Sequence, residues 1–302
     1  MRILVNGLPY FSKKLVDDLT EYDPKNRYLF LNTYQSIWAK IKFLLFLPFF
    51  DKVISMNGVS DESGSLNWVV RLNKPLLMIW QGTDVMLAVE RQKYGSIYSK
   101  YINHASHYAV APWLVDELKT IEIESQVLSF IWFPPIKTQL KSAEKFAVLT
   151  YLAKGKEDFY GWKVLKEAFT ELKDIQLFVV GSDGETLEYP ENITFFGWVG
   201  KDKMRQLQEK STVLVRMTEH DGNSHFVSEA LSVGLEVIWN YPHPCAFLAN
   251  DSDSVIAQIN TLYASFNENG GEKNSRNIDW VRSNLAKNTV LRNVVEKIQK
   301  HE

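Results

Sequence analysis

The sequence predicts an α/β protein of two doubly wound domains, and three observations carry that prediction. Short apolar runs alternate with amphipathic stretches along the whole chain, as expected of parallel strands joined by crossover helices. The alternation breaks at Trp132–Lys145, where Pro134-Pro135 and the polar, basic run from Lys137 to Ser142 read as a linker. With 302 residues the chain can build two domains that each bury a core. The expected division is 1–136 and 137–280, both Rossmann-like, with a separate C-terminal helix over 281–302.

In the first half, Arg2–Asn6 reads as a strand ending at Gly7, followed by a helical pattern over Lys13–Tyr22. Arg27–Leu31 is a strand, Ser36–Leu47 a helix, and Asp51–Met56 a strand that stops at Asn57-Gly58. Ser65–Leu72 is helical, and Pro75–Trp80 is a strand running into Gln81-Gly82-Thr83-Asp84. One long amphipathic stretch is expected over Val85–Ala105. Strand His107–Ala111, helix Trp113–Thr120 and strand Gln126–Phe130 follow.

After the linker the rhythm restarts with strand Phe146–Leu152, helix Trp162–Leu172 and strand Ile175–Val180, closed by Gly181-Ser182-Asp183-Gly184. Ile193–Phe196 is a short strand and Asp202–Lys210 a helix. Thr212–Met217, His225–Val233 and Leu235–Trp239 repeat the strand, helix, strand order. The remainder reads as helical, with Asn267–Asn277 as a mobile loop.

Composition narrows the function classes. A net charge of −2 and a pI near 6.3 exclude a general nucleic-acid binder, which needs a basic face. The lone Cys245 excludes an internal disulfide and fits a reducing, cytoplasmic setting. The apolar start stops at Gly7, unlike a secretory signal, and no run reaches the roughly twenty apolar residues that span a bilayer. The nearest, Ile41–Phe50, reads as a buried helix leading into a strand. Its alternative is a patch on the inner membrane surface, edged by Lys40, Lys42 and Lys52. Most of the nine Trp are expected in the core, although aromatic rings near loops also suit sugar stacking.

In doubly wound sheets, ligands sit beyond the carboxyl ends of the strands, and two such domains on a short linker are expected to leave a cleft between them. The most informative segment is therefore Val213–Asn240. A buried strand enters a polar loop, Thr218 to Ser224, and a helix opens at His225 and carries Glu229 inward. Free N–H groups at a helix start make an anion site. Gly222 permits close backbone approach, and Asn223 and Ser224 can cap the helix or donate to phosphate. A carboxylate one turn further in suits hydroxyl donors such as those of a ribose, and Asp221 suits sugar hydroxyls. Together these residues describe a site for a nucleotide-diphosphate sugar.

Asp221-Gly222-Asn223-Ser224-His225-Phe226-Val227-Ser228-Glu229, followed by a small-residue helix and a strand, resembles the signature of retaining GT-B glycosyltransferases of family 4. That signature is an acid, seven residues and a Glu; here Asp221 replaces the usual Glu. The resemblance implies that Glu229 binds the ribose and that Gly222 to Phe226, including His225, hold phosphate and sugar. Phe146–Ala168 and the turn at Gly181 resemble the opening of the family's second domain. Where the family carries a diphosphate-binding Lys this chain has Tyr160, and Lys154 and Lys156 take that part, solvated loop lysines being the alternative. Asn192–Val199, with Trp198, resembles the segment that contacts the base. Gly7 resembles the glycine loop near the donor phosphates, and Asp84, in a segment resembling one that lines the cleft, is assigned with Asp221 to catalysis, a helix N-cap being its alternative.

The resemblance also implies transfer with retention, no metal, no cofactor beyond the donor, and a last helix that packs back on the first domain. The acceptor expected is a glycan or a lipid-linked hydroxyl, as in polysaccharide biosynthesis, at the inner face of the membrane. His104 and His107 lack a third ligand at metal spacing and read as structural. Two other functions use the same fold: a nucleotide-sugar epimerase or phosphorylase, and a catalytically weak nucleotide-sugar-binding subunit of a partner transferase.

Overall fold

The structure is a computed structural model and describes residues 1–34, 36–134 and 141–300; residues 135–140 of the expected linker, Trp132–Lys145, lie outside them. The chain forms two compact units. The first holds residues Met1–Trp132, the short segment His220–Asn223 and the C-terminal segment from Lys287. The second holds Phe133–Glu219 and Ser224–Ala286.

The first unit is built on six parallel strands: β1 (Arg2–Gly7), β2 (Arg27–Phe30), β3 (Lys52–Met56), β4 (Leu76–Trp80), β5 (Ala105–Ala109) and β6 (Ser125–Val127). Their spatial order is β2-β1-β3-β4-β5-β6, the flavodoxin-like arrangement. Ile3, Leu4 and Val5 of β1 and all of β4 are buried, because strands covered on both faces are apolar without alternation. The helices are α1 (Pro9–Tyr22), α2 (Ile37–Phe46), α3 (Gly64–Arg71), α4 (Thr83–Lys93), α5 (Ser99–Ile102) and α6 (Pro112–Lys119).

Three differences from the sequence reading have local causes. Helix α1 begins at Pro9 rather than Lys13, since proline's fixed φ suits the first helical position. The stretch expected to run unbroken from Val85 to Ala105 is cut at Tyr94-Gly95, where Gly95 takes φ +61°. Ile41–Phe50, expected in the core, buries Phe43 and Leu47 but leaves Ile41, Leu44, Leu45, Phe46 and Phe49 exposed. Lys52, read as an edge of that patch, is instead buried and donates to the Ile298 carbonyl.

The second unit has strands β7 (Ala147–Tyr151), β8 (Gln176–Val180), β9 (Ile193–Phe195), β10 (Val213–Arg216), β11 (Glu236–Trp239) and β12 (Phe247–Leu248), all parallel. Their order, β12-β11-β10-β7-β8-β9, is the 3-2-1-4-5-6 order of a Rossmann fold counted from β7. Helices α7 (Trp162–Glu171), α8 (Lys201–Lys210), α9 (His225–Ser232), α10 (Ser252–Asn269) and α11 (Ser275–Asn284) flank this sheet, and α12 (Lys287–Gln299) returns to the first unit. Leu291, Val294 and Ile298 of α12 lie in the first unit's core.

The stretch Asn267–Asn277, expected as a mobile loop, is mostly helical. Residues to Asn269 belong to α10 and those from Ser275 to α11. The short connection is anchored: Gly271 carbonyl accepts from Ala143 N–H at 2.9 Å, and Asn274 N–H donates to Gly234 at 2.8 Å. Lys273 is buried and donates to the carbonyls of Gln208 and Ser211 at 2.9 and 2.7 Å, closing the end of α8; burial pushes its pKa down to about 8. Of the nine Trp, Trp80, Trp162 and Trp239 are buried and Trp38, Trp68 and Trp198 are exposed, so the core takes fewer of them than expected.

His243 is expected to make the second unit sensitive to acid. Its ring meets Trp280 edge-on at 4.5 Å, its Nδ1 accepts the Cys245 N–H at 3.1 Å, and burial lowers its pKa to about 4. An unfolded chain protonates histidine near pH 6.5, so the neutral ring stabilises the fold above that pH. That contribution is lost progressively as pH falls from about 6.5 to about 4. Urea unfolding at about pH 7 and about pH 5 is expected to show a larger loss in the wild type than in His243→Gln. Equal losses in the two proteins would refute the assignment. Among the described residues no helix is long and apolar enough to cross a membrane.

Candidate functional site

In the second unit, β7 is flanked by β8 on one side and β10 on the other, so the strand order reverses beside β7. The polar ends of these strands define the candidate site. Tyr151 closes β7, and its ring meets Tyr160 edge-on at 5.4 Å and Phe226 at 6.0 Å. Arg216 closes β10, is buried, and sets its guanidinium 5.3 Å from the Tyr160 ring centre. Tyr160, standing where the resemblance expects a lysine, thus supports an arginine from a neighbouring strand.

Two helices begin close to these strand ends. Gly161 precedes α7 with φ +82°, and a Cβ there would lie 2.4 Å from Met217 Cβ and 2.5 Å from the Met217 carbonyl oxygen. Only a glycine lets α7 start against the segment that leaves β10. Ser224 caps α9, its Oγ accepting the Val227 N–H at 3.4 Å. His225, the first residue of α9, is exposed, with its ring 6.2 Å from Phe133. Glu229 lies in the second turn, partly buried, and accepts from Gln208 Nε2 at 3.1 Å.

The turn after β8 also requires glycine. Gly181 has φ +95°, donates to the Gly197 carbonyl at 2.7 Å, and a Cβ there would come within 2.4 Å of the Leu152 carbonyl oxygen. Ser182 Oγ donates to Glu157 at 2.6 Å. Lys154 is paired with Asp183 and, at 3.5 Å, with Glu185; the hydrogen bond to Asp183 raises its pKa. Lys156 is exposed. Trp198, beyond the Gly197 turn, is 85% exposed.

The other predicted residues gather in the first unit. Asp84 lies in the first turn of α4, half-buried, and its carboxylate accepts backbone N–H groups from Gly58, Gln81 (2.9 Å), Gly82 (2.8 Å) and Val85 (3.0 Å). Burial raises its pKa in spite of those donors. Asp84 therefore ties the end of β4 to the turn after β3. The segment His220–Asn223 packs on the turn after β4, at Gln81 and Gly82. A Cβ on Gly222 would sit 2.0 Å from the Gln81 carbonyl oxygen, so this glycine admits protein backbone where sequence reasoning had placed a ligand. Trp113 Nε1 donates to the Asp221 carbonyl at 2.7 Å, Asn223 Nδ2 to Ser129 Oγ at 2.9 Å, and His220 meets Glu117 at 2.8 Å. Asp221 itself is 9% exposed. Gly7, at the end of β1, has φ +108°, and a Cβ there would meet Asn57 Oδ1 and Met56 N at 2.7 Å.

The residues divide between the units. Asp84, Asp221, Gly222, Asn223 and Gly7 belong to the first, and Ser224, His225, Phe226, Glu229, Lys154, Lys156, Gly181 and Trp198 to the second. Arg216 was missed by sequence reasoning, although a charged residue ending the apolar run Val213–Val215 was a readable signal. His107 Nδ1 accepts from Trp80 Nε1 at 3.1 Å and Nε2–H donates to the Ile102 carbonyl at 2.9 Å; His104 Nε2 lies 2.9 Å from the Lys74 carbonyl. These are structural roles, and burial lowers the His107 pKa. Among the described residues no group of three or more His, Cys, Asp or Glu could hold a metal.

No protein family profile and no curated protein matches the sequence. Solved structures match the fold over its full length. The lipopolysaccharide outer core galactosyltransferase WaaB in its apo form superposes with a TM-score of 0.67 at 15% identity, covering 100% of both chains. HepE of Anabaena, solved with UDP and glucose, gives 0.66 at 12% identity and 99% coverage of both. Sucrose-phosphate synthase of Thermosynechococcus elongatus gives 0.63 at 11% identity and 99% of both. The fold is that of the GT-B glycosyltransferases.

Proposed function

We propose that this chain is a glycosyltransferase that moves a sugar from a nucleotide-diphosphate sugar to a hydroxyl acceptor, with retention and without metal. The observation that carries the reading is the cluster at the switch point of the second unit: the start of α9, buried Arg216, and Glu229 one turn into the helix. In this reading Glu229 accepts hydrogen bonds from the ribose hydroxyls. The α9 start at Ser224, His225 and Phe226, with Arg216, holds the diphosphate and stabilises it as the leaving group. Lys154 and Lys156 add positive charge at its edge; for Lys154 this means leaving Asp183. The turn at Gly181 lets the backbone approach the donor, and Trp198 stacks on the base.

In the first unit, Asp221 and Asn223 address the transferred sugar, with Gly7 beside the acceptor. Asp84 acts as a positioning residue, since its oxygens are engaged by backbone N–H groups. The acceptor is a glycan or a lipid-linked hydroxyl, and the setting is cytoplasmic. HepE, of the same fold, was solved with UDP and glucose, which makes UDP sugars the first donors to try.

The test is a thermal-shift screen with UDP, GDP, ADP and their sugars, followed by assay of nucleoside diphosphate release. One nucleotide family should stabilise the protein by about 2.7 kcal/mol at a hundred times its dissociation constant. If no nucleotide shifts the melting temperature, the donor site is wrong. A second reading, a weakly active nucleotide-sugar-binding subunit, is favoured by the capture of Lys154 by Asp183 and Glu185. Donor binding without release, restored by a partner transferase, would establish it.

A further inference from the structure

Helix α2 turns its apolar side away from its own unit. Phe43 and Leu47, one turn apart, are buried beneath it, with Ala39 partly buried one turn earlier. Ile37, Ile41, Leu44 and Leu45 recur at i, i+4, i+7 and i+8 on the opposite side, and Trp38 and Phe49 widen that face. Trp38 is 70% exposed, Ile37 65%, Leu45 63% and Phe49 61%. Exposed Lys40 flanks the face on one edge and exposed Lys42 lies toward the other. On α3, which packs beside α2, Trp68 is also exposed, with the Arg71 guanidinium 4.8 Å from its ring centre.

Such a continuous apolar surface is rare on a protein that stays free in water. Its chemistry fits one occupant. A single convex helix with protruding Ile, Leu, Phe and Trp side chains and lysines at its margins matches the boundary of acyl chains and anionic headgroups. A second copy fits poorly, because a two-fold interface through this face would bring Lys40 and Lys42 against their own copies. The same face continues into a cavity of about 540 Å³, where Ile37, Ile41, Leu44 and Trp68 form apolar walls. Its lining also includes Asn6, Thr33 and Ser55 from the strand ends, Lys40, and the acids Asp61 and Glu62, which favour the hydroxyl part of a lipid head over its phosphate; Asn6 is buried and its Oδ1 accepts no hydrogen bond.

We propose that α2 is a docking helix that seats the first unit on an anionic lipid bilayer, with the adjoining cavity open to the head of a lipid held there. The docking step stands apart from the transferase reading; the assignment of that lipid as acceptor rests on it.

The test is sedimentation of the full chain with vesicles of phosphatidylcholine alone and with a quarter phosphatidylglycerol. The wild type should partition at least tenfold more strongly onto the anionic vesicles. Trp38→Glu with Leu45→Glu should reduce that binding at least tenfold. Lys40→Gln with Lys42→Gln, which leaves the apolar side chains in place, should remove most of the preference for anionic lipid. No binding by the wild type, or variants that bind as it does, would overturn the proposal. So would a concentration-dependent dimer in analytical ultracentrifugation that the double Glu variant dissociates. Nucleotide binding, measured on the same proteins without vesicles, separates the two ideas. Vesicle binding without nucleotide binding defeats the transferase reading and leaves docking intact, and the reverse result defeats docking alone.

Discussion

Asp84→Ala is expected to destabilise the protein by about 4 kcal/mol, because it leaves several buried N–H groups without an acceptor at once. Gly58, Gln81 and Gly82 depend on this one carboxylate, whereas Val85 N–H also donates to the Gly82 carbonyl at 2.8 Å. Asp84→Asn should recover part of the loss, since it keeps one acceptor oxygen but turns an NH₂ group toward donors. Urea unfolding gives the magnitude, and hydrogen exchange at residues 58 and 81–85 gives the location. Unchanged stability with lost turnover would instead return Asp84 to the catalytic role that sequence reasoning assigned to it.

Glu229→Ala is expected to weaken nucleotide binding at least about a hundredfold, since each hydrogen bond to a charged group contributes about 1.5–3 kcal/mol and a ribose offers two hydroxyls. The cost to the fold should be about 1–3 kcal/mol, because Ala leaves the buried Gln208 amide without this acceptor, and Glu229→Gln should keep it. Glu229 is partly buried and its side chain accepts from Gln208, itself on the neighbouring α8. Calorimetric titration of the wild type, Glu229→Gln and Glu229→Ala with the nucleotide found in the screen should rank them in that order. Equal affinities would remove Glu229 from the site and with it the main support for placing the donor in the second unit.

The fold was legible because the central strands of both parallel sheets are buried, so β1, β4, β7 and β10 are written as apolar runs followed by a polar residue. The loop into α9 was legible for the same reason: Ser224 is a good cap and the helix behind it is made of small residues. Contacts distant in sequence were not. Gly222 looked like a glycine that admits a ligand, and its real neighbour, the Gln81 carbonyl, lies far away along the chain. Lys154 looked available because its acids, Asp183 and Glu185, follow a different strand. The outward face of α2 was misread because hydrophobicity alone does not say which side a helix buries. Asn267–Asn277 was misread because its polar residues are those that cap α11 and anchor Lys273, a pairing that composition does not reveal.

The return of α12 to the first unit also bears on the order in which the protein can be made. The sheet of β1 to β6 leaves the ribosome before the second unit, yet part of its cover, Leu291, Val294 and Ile298, is translated after that unit, as is the Ile298 carbonyl that receives Lys52. The second unit, complete by Ala286, can close earlier. The first unit's core can be completed only after the second unit has been synthesised, so part of its apolar surface lacks its α12 cover until then. Loss of the chain from Lys287 onward should therefore damage the N-terminal unit, far away in sequence, more than the unit it directly follows.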